Sequence, residues 1–348
     1  MRVAFLLGAL LLVFSFAVHA KRAPQRITRT DPRAAASSPE RTAALARIEA
    51  ALAAADVEDA TVVVGRGDVD PVVFVKGAGG VDVVYFADSA QKWILATLLL
   101  RDARARGVTL TQPLSTWPNA PAWAKTPPLA DSTLRDFLSF TSGLEDPPAC
   151  AQIPAGSFAR CLNKLASSKV TTPRRYFYGT HHMMLALGAL SAGDVDDNKP
   201  EALLQRFRTE TGLLRTAKHD GDKPLKLTIT PGDYAAFLRA LSTHKLLSAD
   251  DEAAMFADQV GDRAIARSPS AKRKGERWHY GLGNWVECPV EKPCSPHHHS
   301  AGARGFYPFI DVDDGDYGVI AHNAGVGDWS HAHDLYLAIR SDIDLVVR

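Results

Sequence analysis

The sequence predicts a mixed α/β (α+β) chain: an antiparallel sheet built from both chain ends and flanked by helices, with an inserted, mostly helical domain. Three observations predict it. β-type runs bounded by Gly/Asp turns lie at residues 61–64, 72–76 and 81–86 and return at 278–288, 303–311 and 317–322. Between them, from residue 108 to about 277, the chain reads as helices and Pro-rich loops. Amphipathic helix patterns stand outside both sets of strands, at 39–57 and 330–347.

Composition narrows the class. The 348 residues are 46% hydrophobic, ample for a core, and 40 basic against 39 acidic residues give a net charge of +1. That balance makes no case for nucleic acid or an anionic membrane as partner. The basic run at 267–277 (RSPSAKRKGER) reads as a solvated loop, and no internal repeat is evident.

The elements follow in order. Arg2, the apolar run 3–18 and Val18-His19-Ala20 have the form of a cleaved export signal, so residues 1–20 are read as a signal peptide, with an uncleaved anchor as the alternative. The mature protein would then be periplasmic or secreted, with no stable membrane span. Residues 21–38 (KRAPQRITRTDPRAAASS) read as a flexible leader. The folded domain is 39–348, with 39–107 and 276–348 as the sheet subdomain and 108–275 as the helical subdomain. The three early β-type runs suggest a meander. Residues 133–144 (TLRDFLSFTSGL) read as a short helix ending at Gly143, and helical patterns recur at 201–211, 233–241 and 249–259. Asp311 to Asp316 (DVDDGD) resembles a calcium loop, but its glycine is one position early and no glutamate closes it, so it reads as a hairpin turn.

Everything is arranged around FADSAQKWILATLLLR, residues 86–101. Ser89 and Lys92 are three apart on one helix face. From Trp93 to Leu100 only Thr97 is polar, so this helix should be buried. A lysine at its head is desolvated beside the positive helix end, which favours a neutral amine able to take a proton. Ser89 sits where backbone N–H groups can stabilise an oxyanion. A second S-x-x-K, Ser242 to Lys245, lies in a polar connection that would not desolvate its lysine.

Export accounts for the cysteines. Cys150 and Cys161 are close, as are Cys288 and Cys294, which suggests two local disulfides, although three pairings are possible. A rival reading gathers Cys288, Cys294, His297, His298 and His299 into a metal site, at a spacing that fits no zinc motif. His181 and His182 read as helix-start histidines, one of which could face a cleft, and Met183 and Met184 as core fillers.

With these residues in place, the sequence resembles the serine β-lactamase and penicillin-binding-protein superfamily, in its class C-like branch of esterases and D-aminopeptidases or D,D-carboxypeptidases. Ser89-x-x-Lys92 matches the first family motif, and GVTLTQPLSTW and TLRDFLSFTSGL match the segments that follow it. Tyr178-Gly179-Thr180, before an L-A-L-G helix, matches the second motif, Tyr-x-Asn. Ser300-Ala301-Gly302, after YGLGNWV, matches the third, with His322-Asn323-Ala324 as an alternative. The resemblance implies Ser89 as the acylated nucleophile, Lys92 as its base and Tyr178 as a second proton-transfer group. It implies an oxyanion hole from the backbone N–H groups of Ser89 and Ala303, and substrate contacts from Thr180, Ser300, Gly302 and Arg304. Thr180 replaces the motif's asparagine and Ser300 its lysine or histidine, which tilts the expectation from β-lactam hydrolysis toward ester or peptide work. Arg304 or His299 could supply the missing cation. No cofactor or metal is implied, and the partner is a small-molecule or peptide ester or amide. The other readings are a non-catalytic relative binding a peptide or cell-wall ligand, and a metal-dependent binding protein.

Overall fold

The computed structural model describes residues 26–147, 158–191, 199–220, 223–272, 276–289, 296–327 and 329–348. Strands β1 (Ile27–Thr30), β2 (Ala60–Arg66) and β3 (Val72–Lys76) from one end join β9 (Glu276–Tyr280), β10 (Trp285–Pro289), β11 (His297–His299), β12 (Phe306–Asp311) and β13 (Asp316–His322) from the other. They form one eight-stranded sheet in the order β1-β3-β2-β13-β12-β11-β10-β9, with every pair antiparallel. The two ends meet where β2 pairs with β13, Val63 opposite Val319. Because both faces of β2 are covered, its sequence ATVVVGR shows no alternation.

Helices α1 (Pro39–Ala54) and, at the C-terminal end, Ser330–Val347 cover one face, enclosing Val62, Val64, Phe74, Tyr307 and Ile320. Ser38 caps α1 by accepting from the Arg41 N–H at 3.1 Å, and Pro39 occupies its first turn. The other face carries the larger core, built on helix α2 (Gln91–Ala105), which is buried nearly all round as its sequence predicts. Among the described residues no helix is long and apolar enough to cross a membrane.

Four expectations need correction. From Ile27 onward the expected flexible leader belongs to the fold: β1 pairs with β3, and Asp31 is held by the two terminal guanidinium nitrogens of Arg41 at 2.8 Å. A short, polar edge strand (ITRT) carries no hydrophobic alternation by which it could be recognised. Residues 81–86 do not complete a meander. Only β4 (Tyr85–Phe86) is extended, and it pairs with β7 (Lys223–Ile229) in a smaller sheet that also contains β6 (Lys218–Asp220). The mostly helical intervening region thus also holds short strands, among them β5 (Tyr176–Phe177), which runs parallel to β8 (Ile265–Arg267). The helix expected over 133–144 stops early: α3 (Leu134–Leu138) has a Thr133/Asp136 capping box, then Phe140 and Gly143 take positive φ of 61° and 84°. Finally, β11 falls on three histidines, which the sequence does not mark as a strand.

Residues 312–315 form the expected turn between β12 and β13. Residues 1–25, which include the expected signal peptide, lie outside the described residues, as do Cys150 and Cys294.

Candidate active site

Ser89 lies in a single turn between β4 and α2. Leaving the small sheet, the Ala87 N–H donates to the Leu227 carbonyl at 2.9 Å. Asp88 then takes a left-handed φ of 47°, which an aspartate tolerates better than most residues. The turn is closed by the Ala90 N–H on the Ala87 carbonyl, and the buried Tyr234 hydroxyl donates to the Ala90 carbonyl at 2.8 Å. One turn on, Lys92 is 4% exposed and its Nζ lies 2.9 Å from Ser89 Oγ. The second S-x-x-K is nothing like it: Lys245 is exposed and ion-paired with Asp68, and Ser242 Oγ donates to the Arg239 carbonyl.

Tyr178 follows β5 on the far side of Lys92, whose Nζ stands 4.8 Å from the phenol's ring centroid. Its backbone N–H donates to the Arg267 carbonyl, and its ring stacks on Trp285 at 5.0 Å with planes 12° apart. Phe140 and Tyr280 meet it edge-on at 5.5 and 5.8 Å. The left-handed Phe140 explains the TLRDFLSFTSGL segment: its carbonyl accepts from the Phe177 N–H, fixing the strand that precedes Tyr178.

His181 and His182 tie the same two segments together and are buried rather than facing a cleft. They open the helix α5 (His181–Leu190), α4 being Phe158–Ala166. His181 Nε2 donates to the Leu144 carbonyl at 2.9 Å, and His182 Nε2 to the Phe177 carbonyl at 2.9 Å. His182 Nδ1 must then accept from the Ser142 hydroxyl, 2.8 Å away. Burial pushes His181 down to about 4 and holds His182 well below the ordinary histidine range. Thr180 stands at the start of α5, where its side chain makes no capping hydrogen bond.

The chain beyond β11 supplies the third wall. Ser300 Oγ donates to the Ser89 carbonyl at 3.2 Å. Gly302 packs so closely on the chain before Ser89 that a Cβ there would lie 2.4 Å from the Ala87 carbonyl oxygen. Its N–H donates to the Phe306 carbonyl and its carbonyl accepts from Gly305, forming the turn that contains Ala303. Arg304 pairs with Asp88 at 2.5 Å and lies over Phe86, which Lys226 also approaches, at 4.6 Å from the ring centroid. The alternative third motif is one strand further from β11: His322 ends β13, and its ring packs against Gly305.

Two sequence expectations fail here. His299 cannot supply a cation at Ser300, because alternation along β11 turns it into the sheet's other layer, where it is fully buried with Nε2 3.1 Å from Glu287 Oε2. The same alternation breaks up the cysteine and histidine metal site. His297 bonds Tyr307 and Tyr336 hydroxyls, whereas His298 bonds Asn284 on the opposite face. Neither Cys161 nor Cys288 is a free thiol. The sequence reading also missed Trp285, Phe140, Asp88, Phe86 and Lys226. The YGLGNWV segment held a signal for Trp285, since its Gly283 has φ of 82° and fits against the Lys92 carbonyl.

No protein-family model and no curated protein matches the sequence. Solved structures do resemble it. A Bacteroides dorei protein designated a β-lactamase is 20% identical, with a TM-score of 0.69 over 87% of this chain and 98% of its own. The D-amino acid amidase of Ochrobactrum anthropi SV3 is 17% identical, with a TM-score of 0.63 over 89% and 97%. Simvastatin synthase (LovD) of Aspergillus terreus is 16% identical, with a TM-score of 0.63 over 88% and 98%. With its two-ended antiparallel sheet, its helices and the Ser89 turn between them, the chain has the serine β-lactamase and penicillin-binding-protein fold.

Proposed function

We propose that this chain is an exported serine hydrolase that acts on an ester or amide through an acyl-enzyme. The observation that carries the reading is the 2.9 Å contact between Ser89 Oγ and Nζ of the buried Lys92. Ser89 Oγ attacks the substrate carbonyl as its proton passes to the Lys92 amine, and the N–H groups of Ser89 and Ala303 receive the oxyanion. As the carbonyl reforms, the bond to the leaving group breaks and that group takes a proton through Lys92 and Tyr178. Water then repeats the attack on the acyl-enzyme, releasing the acid and restoring Ser89. Thr180 and Ser300 line the same cleft, and the missing side chain of Gly302 lets this wall close on the chain that leads into Ser89. The names of similarly folded proteins, among them an amidase and a penicillin-binding protein, support this by analogy of fold. Cleavage after Ala20 and bridges Cys150–Cys161 and Cys288–Cys294 complete the proposal.

The test is intact mass after incubation with a fluorophosphonate and, separately, a penicillin. One adduct per chain, absent in Ser89→Ala, is expected, and the probe that reacts separates general esterase from penicillin-recognising chemistry. A second reading, a non-catalytic relative that binds a peptide or cell-wall ligand, is favoured by Thr180 and Ser300, which lack the amide and cation of the motifs they occupy. No adduct with either probe in folded protein would select it.

A further inference from the structure

We propose that Glu276, Glu287 and His333 bind one divalent transition-metal ion of the zinc class at the outer edge of the large sheet, beside Trp278. One ligand atom from each lies within 4.8 Å of the others. His333 Nε2 is 3.1 and 3.0 Å from the two Glu287 oxygens. Bonds of about 2.0–2.1 Å in a tetrahedral arrangement place neighbouring donor atoms a little over 3 Å apart, so the pair needs only a small adjustment to share an ion.

The three ligands come from three elements, β9, β10 and the first turn of the C-terminal helix. His333 is fully buried and Glu287 nearly so, while Glu276, on the edge strand, is half-buried and offers a way in. The surrounding groups orient these side chains as hydrogen-bonding neighbours orient metal ligands. Trp278 Nε1 donates to Glu276 Oε2 at 2.9 Å, and its ring packs edge-on against His333 at 5.1 Å. His299 Nε2 lies 3.1 Å from Glu287 Oε2 and holds that carboxylate from another side. Two carboxylates and one imidazole suit zinc better than calcium or magnesium, which favour oxygen alone. Three protein ligands leave one position for water. The site is separate from Ser89, and its occupancy can be read without any activity.

The experiment uses untagged full-length chain, stripped with EDTA and equilibrated with zinc chloride. Metal content is measured by elemental mass spectrometry and affinity by competition with a chromophoric chelator. One zinc per chain is expected, with a Kd rising at least 100-fold in His333→Ala and Glu287→Gln and unchanged in His279→Ala, whose imidazole pairs with Asp258 elsewhere. Calcium and magnesium chloride should not compete. Folded wild-type protein that takes up no stoichiometric zinc, or folded variants that hold zinc as tightly as wild type, would overturn the proposal. Should the variants not fold, cobalt(II) added to stripped wild type decides the matter. Visible d–d absorption saturating at one equivalent and displaced by zinc is expected, and its absence refutes the site.

Discussion

The indole of Trp285 lies face to face with the phenol of Tyr178, 5.0 Å between centroids, while Nζ of Lys92 stands 4.8 Å from the same phenol. Trp285 therefore sets where Tyr178 meets the lysine. Trp285→Phe should keep most of the stacking and fold stably, while lowering kcat roughly tenfold with little change in KM. Trp285→Ala should also cost about 3–5 kcal/mol of stability, since the indole is almost wholly buried. Steady-state kinetics with urea unfolding separates the two effects.

Lys92→Ala should reduce the rate of Ser89 acylation by about 10²–10⁴, the usual contribution of a positioned base. Ser242→Ala and Lys245→Ala should leave it unchanged, because Lys245 is exposed and both side chains are engaged elsewhere. Stopped-flow acylation by a chromogenic ester measures all three, and a slow Ser242→Ala would contradict the assignment.

Gly302→Ala places a methyl 2.4 Å from the Ala87 carbonyl, where backbone on both sides must move. Overpacking of this kind costs about 1–3 kcal/mol. The displaced chain leads directly into Ser89 and Ala303, so acylation should fall further than stability alone explains. Parallel melting curves and single-turnover rates test this.

Arg304→Gln removes the cation from a partly exposed pair with Asp88, and a pair of that kind contributes little to stability, below about 1 kcal/mol. Its effect should appear in selectivity. KM for an ester bearing a carboxylate should rise at least fivefold relative to a neutral ester of the same size. Equal changes for both esters would remove Arg304 from substrate recognition.

His181 makes stability depend on acidity. Burial holds its imidazole neutral down to about 4 in the folded chain, while the unfolded chain takes up the proton near 6.5. The unfolded state thus binds more protons between these values. Stability is complete above about pH 6.5, falls as the pH drops, and has lost about 3 kcal/mol from this group by pH 4. Urea midpoints from pH 7 to 4.5 should follow that slope, and His181→Gln should flatten it even if its stability at pH 7 is lower.

The sequence exposed this fold where a pattern had one physical cause. The apolar run of α2 from Trp93 to Leu100 and the closing helix at residues 330–347 were readable because burial alone explains them. The contact of Ser89 with Lys92 was readable because residues three apart share a helix face, whereas Tyr178 was pointed to only by the resemblance. What escaped depended on partners distant in the chain. ITRT is a strand only because β3 lies beside it, and HHH only because β10 and β12 flank it. Trp285 belongs to the site because it stacks on a residue that no local spacing connects with it. His299 was misjudged because proximity in sequence to Ser300 says nothing about which face of a strand a side chain takes.

The pairing of β2 with β13 has a consequence for how the molecule comes to exist. Arg66 and its partner Asp316 are separated by 250 positions. A chain emerging from the ribosome exposes β2 and the Ser89 turn long before the strand that must cover them has been made. Helical segments between them can settle locally, but the central sheet and the third wall of the serine pocket wait for the final strands. Folding should therefore be slow and cannot finish before β13 has been made. Until then Ser89 lacks one of the walls that surround it, so the growing chain carries only part of the candidate site.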